Sequence, residues 1–392
     1  MTNHALTPRL GTRSGVPTAR RSAGKIYVIC CGGRTGPGGM SRMVDYYMAE
    51  WEAQGRAPQL MLIDSTGPSY DWRRQPLSAI WRQPIYYFRA LAQVAGAGSL
   101  GRIAGLHIHM AERGSVLRKA LFIYLGRLLK RPVIIHMHAA TFPEFYAGLS
   151  PIVQSWVRHV LRQADRFIVL GHAHRQYFTE TVGLDADRVV IVHNAVPVPS
   201  TLSPPPDDRL CQLLFVGTLI ERKGLSDLLE ALARPRVRAL PWHLRIVGEG
   251  DQIRWAKLVE THGLRDRVDF AGWVSSAGVH QLLEKSDVLV LPSLNEGLPM
   301  VLLEAMAHER PVIATSVGSV CDAVEDEVTG LLVPPSSPDA LASALEKMMV
   351  EKELRLKLGV AGRQLVAERF TITRLNGQLE ELFGRLCSGS DK

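Results

Sequence analysis

No uninterrupted apolar run in these 392 residues reaches the roughly 20 residues that span a bilayer, and the first residues do not follow the basic, apolar and small-residue order of a secretory leader. Neither a membrane-spanning helix nor a cleaved leader is expected. Cysteine is scarce. Cys30, Cys31, Cys211, Cys321 and Cys387 show no metal-ligand spacing and no disulfide framework, as suits a reducing cytoplasm. Acids are few in the first half: residues 1–200 carry 24 Lys and Arg against 11 Asp and Glu, while residues 201–392 carry 22 against 27. The basic half suits an anionic partner surface, either nucleic acid or an acidic membrane leaflet.

What remains is an ordinary globular composition, 46% hydrophobic and 21% charged, in a chain long enough for two domains or three. Residues 1–24 are polar, lack acids and carry Arg9, Arg13, Arg20 and Arg21, which reads as a disordered basic tail. From Lys25 onward, strand-length apolar runs alternate with helical stretches. The runs are Ile26–Cys31, Leu60–Asp64, Leu106–Met110, Val133–Met137, Phe167–Leu170 and Val189–Val192. After a proline-rich break at 196–208, six more follow: Leu213–Val216, Leu244–Val247, Val268–Phe270, Val288–Leu291, Val312–Ala314 and Leu331–Val333. Continuous apolar strands separated by helices predict parallel sheets covered on both faces. Two such series make an α/β protein of two doubly wound domains, residues 25–200 and 201–374, with ligands bound outside the carboxyl ends of the strands in the cleft between them. Residues 375–392 continue as a helix.

The most informative segment is Ser293–Ala307. An apolar strand ends at Pro292, a short polar loop holds Glu296, Gly297 and Leu298, and Pro299 stands where the first residue of a helix would sit. Free amides at such a helix start attract anions, phosphate above all. Glu296 and Glu304 flank this anion site. A phosphate that needs acids beside it carries a sugar or ribose whose hydroxyls they can hold. The plain alternative makes Glu296 a solvated loop acid and pairs Glu304 with His308 one turn on. It meets an objection, because Glu304 interrupts a strongly apolar segment where an unpaired acid is costly. At the end of the preceding half-sheet strand, Val216–Gly224 places Gly217, then Arg222 and Lys223, at the same cleft, where two cations suit a diphosphate.

The first half offers less specific signals. The loop Cys31–Ser41 is glycine-rich but fits neither the dinucleotide fingerprint nor a P-loop. His136 and His138 share a face past one strand, and His107 and His109 repeat the spacing. This permits metal binding, yet acids nearby are sparse, so no metal is expected. His138 reads as a polar contact to substrate and the other three as satisfied structural histidines. Residues 70–89 interleave Trp72, Trp81, Tyr86, Tyr87 and Phe88 with Arg73, Arg74, Arg82 and Arg89. Such a mixture suits a membrane interface or single-stranded nucleic acid, or else aromatics in a core with solvated arginines.

Glu296-Gly-Leu-Pro through Glu304-Ala-Met-Ala resembles the Glu-x7-Glu motif of the retaining family-4 glycosyltransferases with the GT-B fold. The resemblance runs from Lys25 to about Phe383. Gly38-Gly39, Val216-Gly-Thr with Arg222-Lys-Gly224, Val247-Gly-Glu-Gly250, Ala314–Gly318 and Thr329–Pro334 all match in order. Val192-His-Asn-Ala-Val196 resembles the Pro-Asn-Gly-Val signature and departs from it at His193 and Ala195. The resemblance implies a hexosyl-type transferase using a nucleotide-diphosphate sugar as co-substrate, with no cofactor and no metal. Arg222, Lys223, Gly297 and Leu298 would hold the diphosphate, Glu304 the ribose and Glu296 the transferred sugar. Gly39 and Gly217 would line the donor, and His138 would sit near the reacting sugar. His109–Lys119 resembles a bacterial subgroup associated with extracellular polysaccharides, which puts Ser115, Arg118 and Lys119 on the acceptor side. The final helix would cross back to the first domain. The expected partners are a glycan or polyprenyl-linked acceptor and an anionic membrane surface, without nucleic acid, for a cytoplasmic enzyme peripheral to the inner face of the plasma membrane. The alternatives are a nucleotide-sugar epimerase or phosphorylase on the same fold, or a non-catalytic membrane- or nucleic-acid-binding protein.

Overall fold

A computed structural model describes residues 24–33, 38–67, 82–202 and 210–388. The basic tail up to residue 23, residues 34–37 of the glycine loop, and Trp72, Arg73, Arg74 and Trp81 lie outside the described residues. All twelve apolar runs are strands, several starting or ending a few residues from where the apolar pattern puts them. The first sheet holds β1 (Lys25–Cys30), β2 (Leu60–Asp64), β3 (Ile103–Met110), β4 (Val133–Met137), β5 (Arg166–Val169) and β6 (Val189–Ile191), in the order β2-β1-β3-β4-β5-β6. The second holds β7 (Cys211–Val216), β8 (Trp242–Val247), β9 (Val268–Gly272), β10 (Val288–Leu291), β11 (Val312–Thr315) and β12 (Leu331–Val333), in the order β12-β11-β10-β7-β8-β9. Every ladder is parallel. The central strands are buried along their length because helices cover both faces, which is why they read as unbroken apolar runs.

The strand order reverses between β1 and β3 in the first sheet and between β7 and β10 in the second. A doubly wound sheet opens a crevice at such a point, because the loops from its two neighbouring strands leave toward opposite faces. The loops after β1 and β3 thus meet the loops after β7 and β10 across the cleft. The chain passes between domains twice, and the two passages are bonded side by side through Val196 N donating to Phe370 O at 2.9 Å. The last helix, Ile372–Ser388, then packs on the helix Gly39–Ala53 of the first domain. Asn376 Nδ2 donates to Tyr47 O at 3.0 Å, and the fully buried rings of Trp51 and Phe383 meet edge to face at 5.7 Å.

Candidate functional site

After β7 the chain makes one tight turn, Glu221–Lys223, closed by Gly224 at φ 70. A Cβ there would stand 1.8 Å from Pro292 O, so only glycine lets this turn seat against the end of β10. Arg222 and Lys223 are thereby delivered to the loop after β10. Arg222 Nη1 donates to Asn295 O at 2.6 Å and lies 3.9 Å from Glu296 Oε2. Lys223 Nζ donates to Glu296 Oε1, which also accepts from Ser293 Oγ at 2.7 Å. Glu296 is only 6% exposed, so it is not a solvated loop acid. It is the counter-ion of the basic pair when no anion is bound.

The following turn is pinned through its carbonyls. Gly297 O accepts from Ser319 N at 3.0 Å, and Leu298 O accepts from Asn194 Nδ2 of the first domain at 2.6 Å. Pro299 is the cap rather than the first helical residue, because its ψ of 128° is extended, and the helix runs Met300–Ala307. Glu304 lies in this helix with no exposure at all. Its partner is not His308, whose Nε2 meets His280 Nδ1 at 2.9 Å. It is Arg42 from the helix Gly39–Ala53 of the opposite domain, whose Nη1 is 2.9 Å from both carboxylate oxygens. Tyr46 OH adds a contact at 3.4 Å and reaches Ser276 Oγ at 2.9 Å. Burial and the nearby Glu304 charge both raise the Tyr46 pKa, so it is a neutral donor.

A cavity of about 450 Å³ occupies the cleft, within the range of small-molecule sites. The second domain lines it with Gly217, Arg222, Lys223, Glu296, Gly297 and Leu298, and with the helix start at Pro299–Val301. The first lines it with Gly39, Arg42, Glu112 and His138. Eight of the twelve residues expected at the site therefore share one hollow. Glu304 lies behind Arg42 rather than in its wall. Arg42, Glu112 and Asn194 line the cavity and Tyr46 contacts Glu304, and sequence reasoning gave none of the four a site role. Arg42 had one cue, its place one turn into the helix after the glycine loop.

Strand alternation sets His107 and His109 of β3 beside His136 of β4 and His138 just past its end, with His109 opposite His136 in register. His138 is half-buried at the cavity, its Nε2 2.8 Å from His109 Nδ1, and His109 Nε2 is 3.1 Å from Tyr47 OH. Burial pushes the His138 pKa down to about 3, with His107 and His174 adding repulsion, so His138 acts as a neutral hydrogen-bonding group. The expectation of satisfied structural histidines fails for two of the others. Both ring nitrogens of His107 and of His136 lack a hydrogen-bond partner among the described residues. Their face is covered by the apolar side of the final helix, where Phe383 lies 5.6 Å from the His107 ring. The nitrogens of His107, His109 and His136 do fall within 4.8 Å of one another.

The residues expected on the acceptor side stand elsewhere. Ser115, Arg118 and Lys119 do not line the cavity. Residues 115 and 119 are one turn apart on the inward face of the helix Gly114–Leu128. Ser115 Oγ accepts from Ala111 N at 3.1 Å, and Lys119 is fully buried with Nζ donating to Ser65 Oγ at 2.6 Å. Arg118 is half-buried on the neighbouring face, and its carbonyl accepts from Tyr87 OH at 2.6 Å. From this segment the cavity takes Glu112 instead.

With this geometry the comparisons agree. Residues 38–195 match the family model for a glycosyl transferase 4-like domain, and residues 211–351 match that for glycosyl transferases group 1, so that together they span most of the chain. The chain belongs to the GT-B glycosyltransferases of the family-4 type. This glycosyltransferase is 28% identical over 302 residues to the alpha-D-kanosaminyltransferase of Streptomyces kanamyceticus, covering 71% of this chain and 77% of that one. It is 28% identical over 338 residues to the putative colanic acid biosynthesis glycosyltransferase WcaL of Salmonella typhimurium, covering 83% and 78%. Among solved structures, Anabaena HepE in complex with UDP and glucose superposes with a TM-score of 0.73 at 16% identity, over 92% of this chain and all of that one, a likeness of fold.

Proposed function

We propose that this glycosyltransferase moves a sugar from a nucleoside-diphosphate sugar to a hydroxyl of a glycan or polyprenyl-linked acceptor, in bacterial exopolysaccharide or cell-envelope biosynthesis, with retained anomeric configuration and without a catalytic metal. The observation that carries this reading is the meeting of Arg222, Lys223 and the start of the helix Met300–Ala307 on one hollow, with the buried Glu296 beside the two cations. A diphosphate takes the place of Glu296 as counter-ion, held by the two cations and the amides of Gly297 and Leu298. Glu296 is then free for the hydroxyls of the transferred sugar. Glu304 binds the ribose once Arg42 withdraws. Gly39 closes on the donor from the opposite domain. In the transfer step the acceptor oxygen bonds to the anomeric carbon on the face from which the diphosphate leaves. The bond from that carbon to the β-phosphate oxygen breaks, its electron pair goes to the diphosphate, and that oxygen takes the acceptor proton. Negative charge grows on the diphosphate, where Arg222, Lys223 and the amides of Gly297 and Leu298 stabilise it. His138, neutral, donates or accepts a hydrogen bond at the sugar. The names of the colanic acid and kanosaminyl relatives and the UDP complex of HepE support the donor and product classes.

The outer face of the first domain supports a membrane-borne acceptor. The helices Gln83–Ser99, Gly114–Leu128 and Pro151–Leu161 contain no acid. They expose Ile85, Phe88, Leu117, Leu121, Leu128 and Ile152 beside Arg89, Arg127 and Arg158. Apolar side chains among cations suit the anionic inner leaflet. No helix among the described residues is long and apolar enough to cross a membrane. The purified chain, given a panel of nucleotide sugars with lipid-linked and free glycan acceptors, should form a retained glycoside, and Arg222→Ala should lower transfer by about 10²–10³ while the fold persists. Conversion of donor without acceptor would instead mark an epimerase. Binding to vesicles rich in anionic lipid at low salt should fall in Phe88→Ser/Leu121→Ser, and indifference of the parent chain to such vesicles would sink the docking face.

A further inference from the structure

His193 stands where the chain departs from its family signature, and the structure shows what it faces. The loop after β11 in the second domain brings Asp322 against two histidines of the first. Asp322 Oδ2 lies 3.3 Å from His172 Nδ1 and 3.4 Å from His193 Nε2, and it accepts from the backbone amide of His172 at 2.8 Å. The approach is built in: a Cβ on Gly171 would stand 2.1 Å from that same oxygen.

The triad has two readings: long hydrogen bonds from two histidines to one carboxylate, or three ligands around an ion. Charge-assisted hydrogen bonds between imidazole and carboxylate close to about 2.7–2.9 Å. Ligand atoms at about 2.0–2.1 Å from a tetrahedral ion are separated by roughly 3.3–3.4 Å. Both side-chain separations match the second value. The three ligand atoms all fall within 4.8 Å of one another, and the side chain of His172 is 77% exposed. Two imidazoles and one carboxylate form a borderline donor set that suits zinc and its neighbours rather than magnesium or calcium. The backbone amide of His172 fixes the carboxylate as an outer-shell partner does. Exposure leaves an entry path and a fourth position for water.

We infer that His172, His193 and Asp322 form a binding site for a divalent transition ion of the zinc class, which fastens the two domains together. None of the three lines the donor cavity, so the ion stands outside the transfer chemistry. It is coupled to the cavity, however, because Asp322 N donates to Ser319 O and Ser319 N to Gly297 O. An ion here holds the loop that supports the phosphate turn and restrains the opening that donor exchange requires.

The test uses the untagged full chain, stripped with chelator and titrated with zinc by calorimetry and with cobalt(II) by visible absorption. The expected result is one equivalent bound at about micromolar or tighter, with the intense bands of tetrahedral cobalt and a zinc-dependent rise in Tm. His193→Gln and Asp322→Asn should each weaken this binding by at least about tenfold, by loss of one of three protein ligands. His172→Gln, at an exposed position, should do the same while leaving the metal-free Tm unchanged. Absence of binding, or an isotherm and a weak octahedral cobalt spectrum that none of the three substitutions alters, overturns the site.

Discussion

The second sheet gathers its charged groups at one end. Arg222 and Lys223 leave β7, Glu296 leaves β10, and these strands are neighbours where the order reverses. The first sheet is wound on the same plan, yet it buries much of its polar chemistry in its face. His107, His109 and His136 are sealed beneath the final helix, Lys119 is sealed beneath the opposite layer, and Arg42, Glu112, His138, Thr141 and Asn194 reach the cavity. The fold thus supplies two equivalent crevices, and the loops decide what each can hold. A site made of loop charges and helix amides grips an anion strongly. The first domain's wall, where Arg42 is already paired with Glu304 and His138 is neutral, can only orient what is presented to it.

That contrast can be broken or sharpened by experiment. Arg222→Ala should show the largest effect, a loss of transfer on the order of 10²–10³, as for removal of one preorganised electrostatic donor. Acid should weigh most on the first domain, although burial also holds the pKa of His308 in the second down to about 4. Burial holds the His107 pKa down to about 3 and lowers those of His109 and His136 well below their usual value. A pKa depressed in the folded state means that the unfolded chain binds more protons. Stability is therefore full above about pH 6.5 and falls as pH drops toward 3, by up to about 1.4 kcal/mol per pH unit for each histidine. Urea unfolding monitored between pH 7.5 and 5 reads this, and a flat midpoint would refute the buried neutral cluster. His138→Ala should cost least, about tenfold or less in turnover, since one neutral hydrogen bond contributes about 0.5–1.5 kcal/mol. A loss as large as that of Arg222→Ala would erase the difference between the two walls.

The same contrast explains what could be read in advance. The twelve strands were legible because strands buried on both faces appear as continuous apolar runs. The second domain's cavity wall was legible because glycine turns, a helix start and two acids eight residues apart are local patterns. The groups that cross the cleft were not. Arg42 and Glu304 are 262 residues apart, and His193 and Asp322 are 129 apart. Nothing in either local segment announces its partner. Lys119 misled for a related reason: a lysine near an acceptor-like motif looks accessible, but the phase of its helix points it at Ser65.

The central claim is that a donor diphosphate replaces Glu296 as counter-ion of Arg222 and Lys223 beside Gly297. Calorimetric titration of the full chain with nucleoside diphosphates, compared with Lys223→Ala, tests it most directly. The account predicts saturable binding of at least one nucleoside diphosphate that weakens by about tenfold or more when Lys223 is truncated, the loss expected for a charge-assisted contact of about 1.5–3 kcal/mol. Equal affinity of the two proteins for that diphosphate would contradict it.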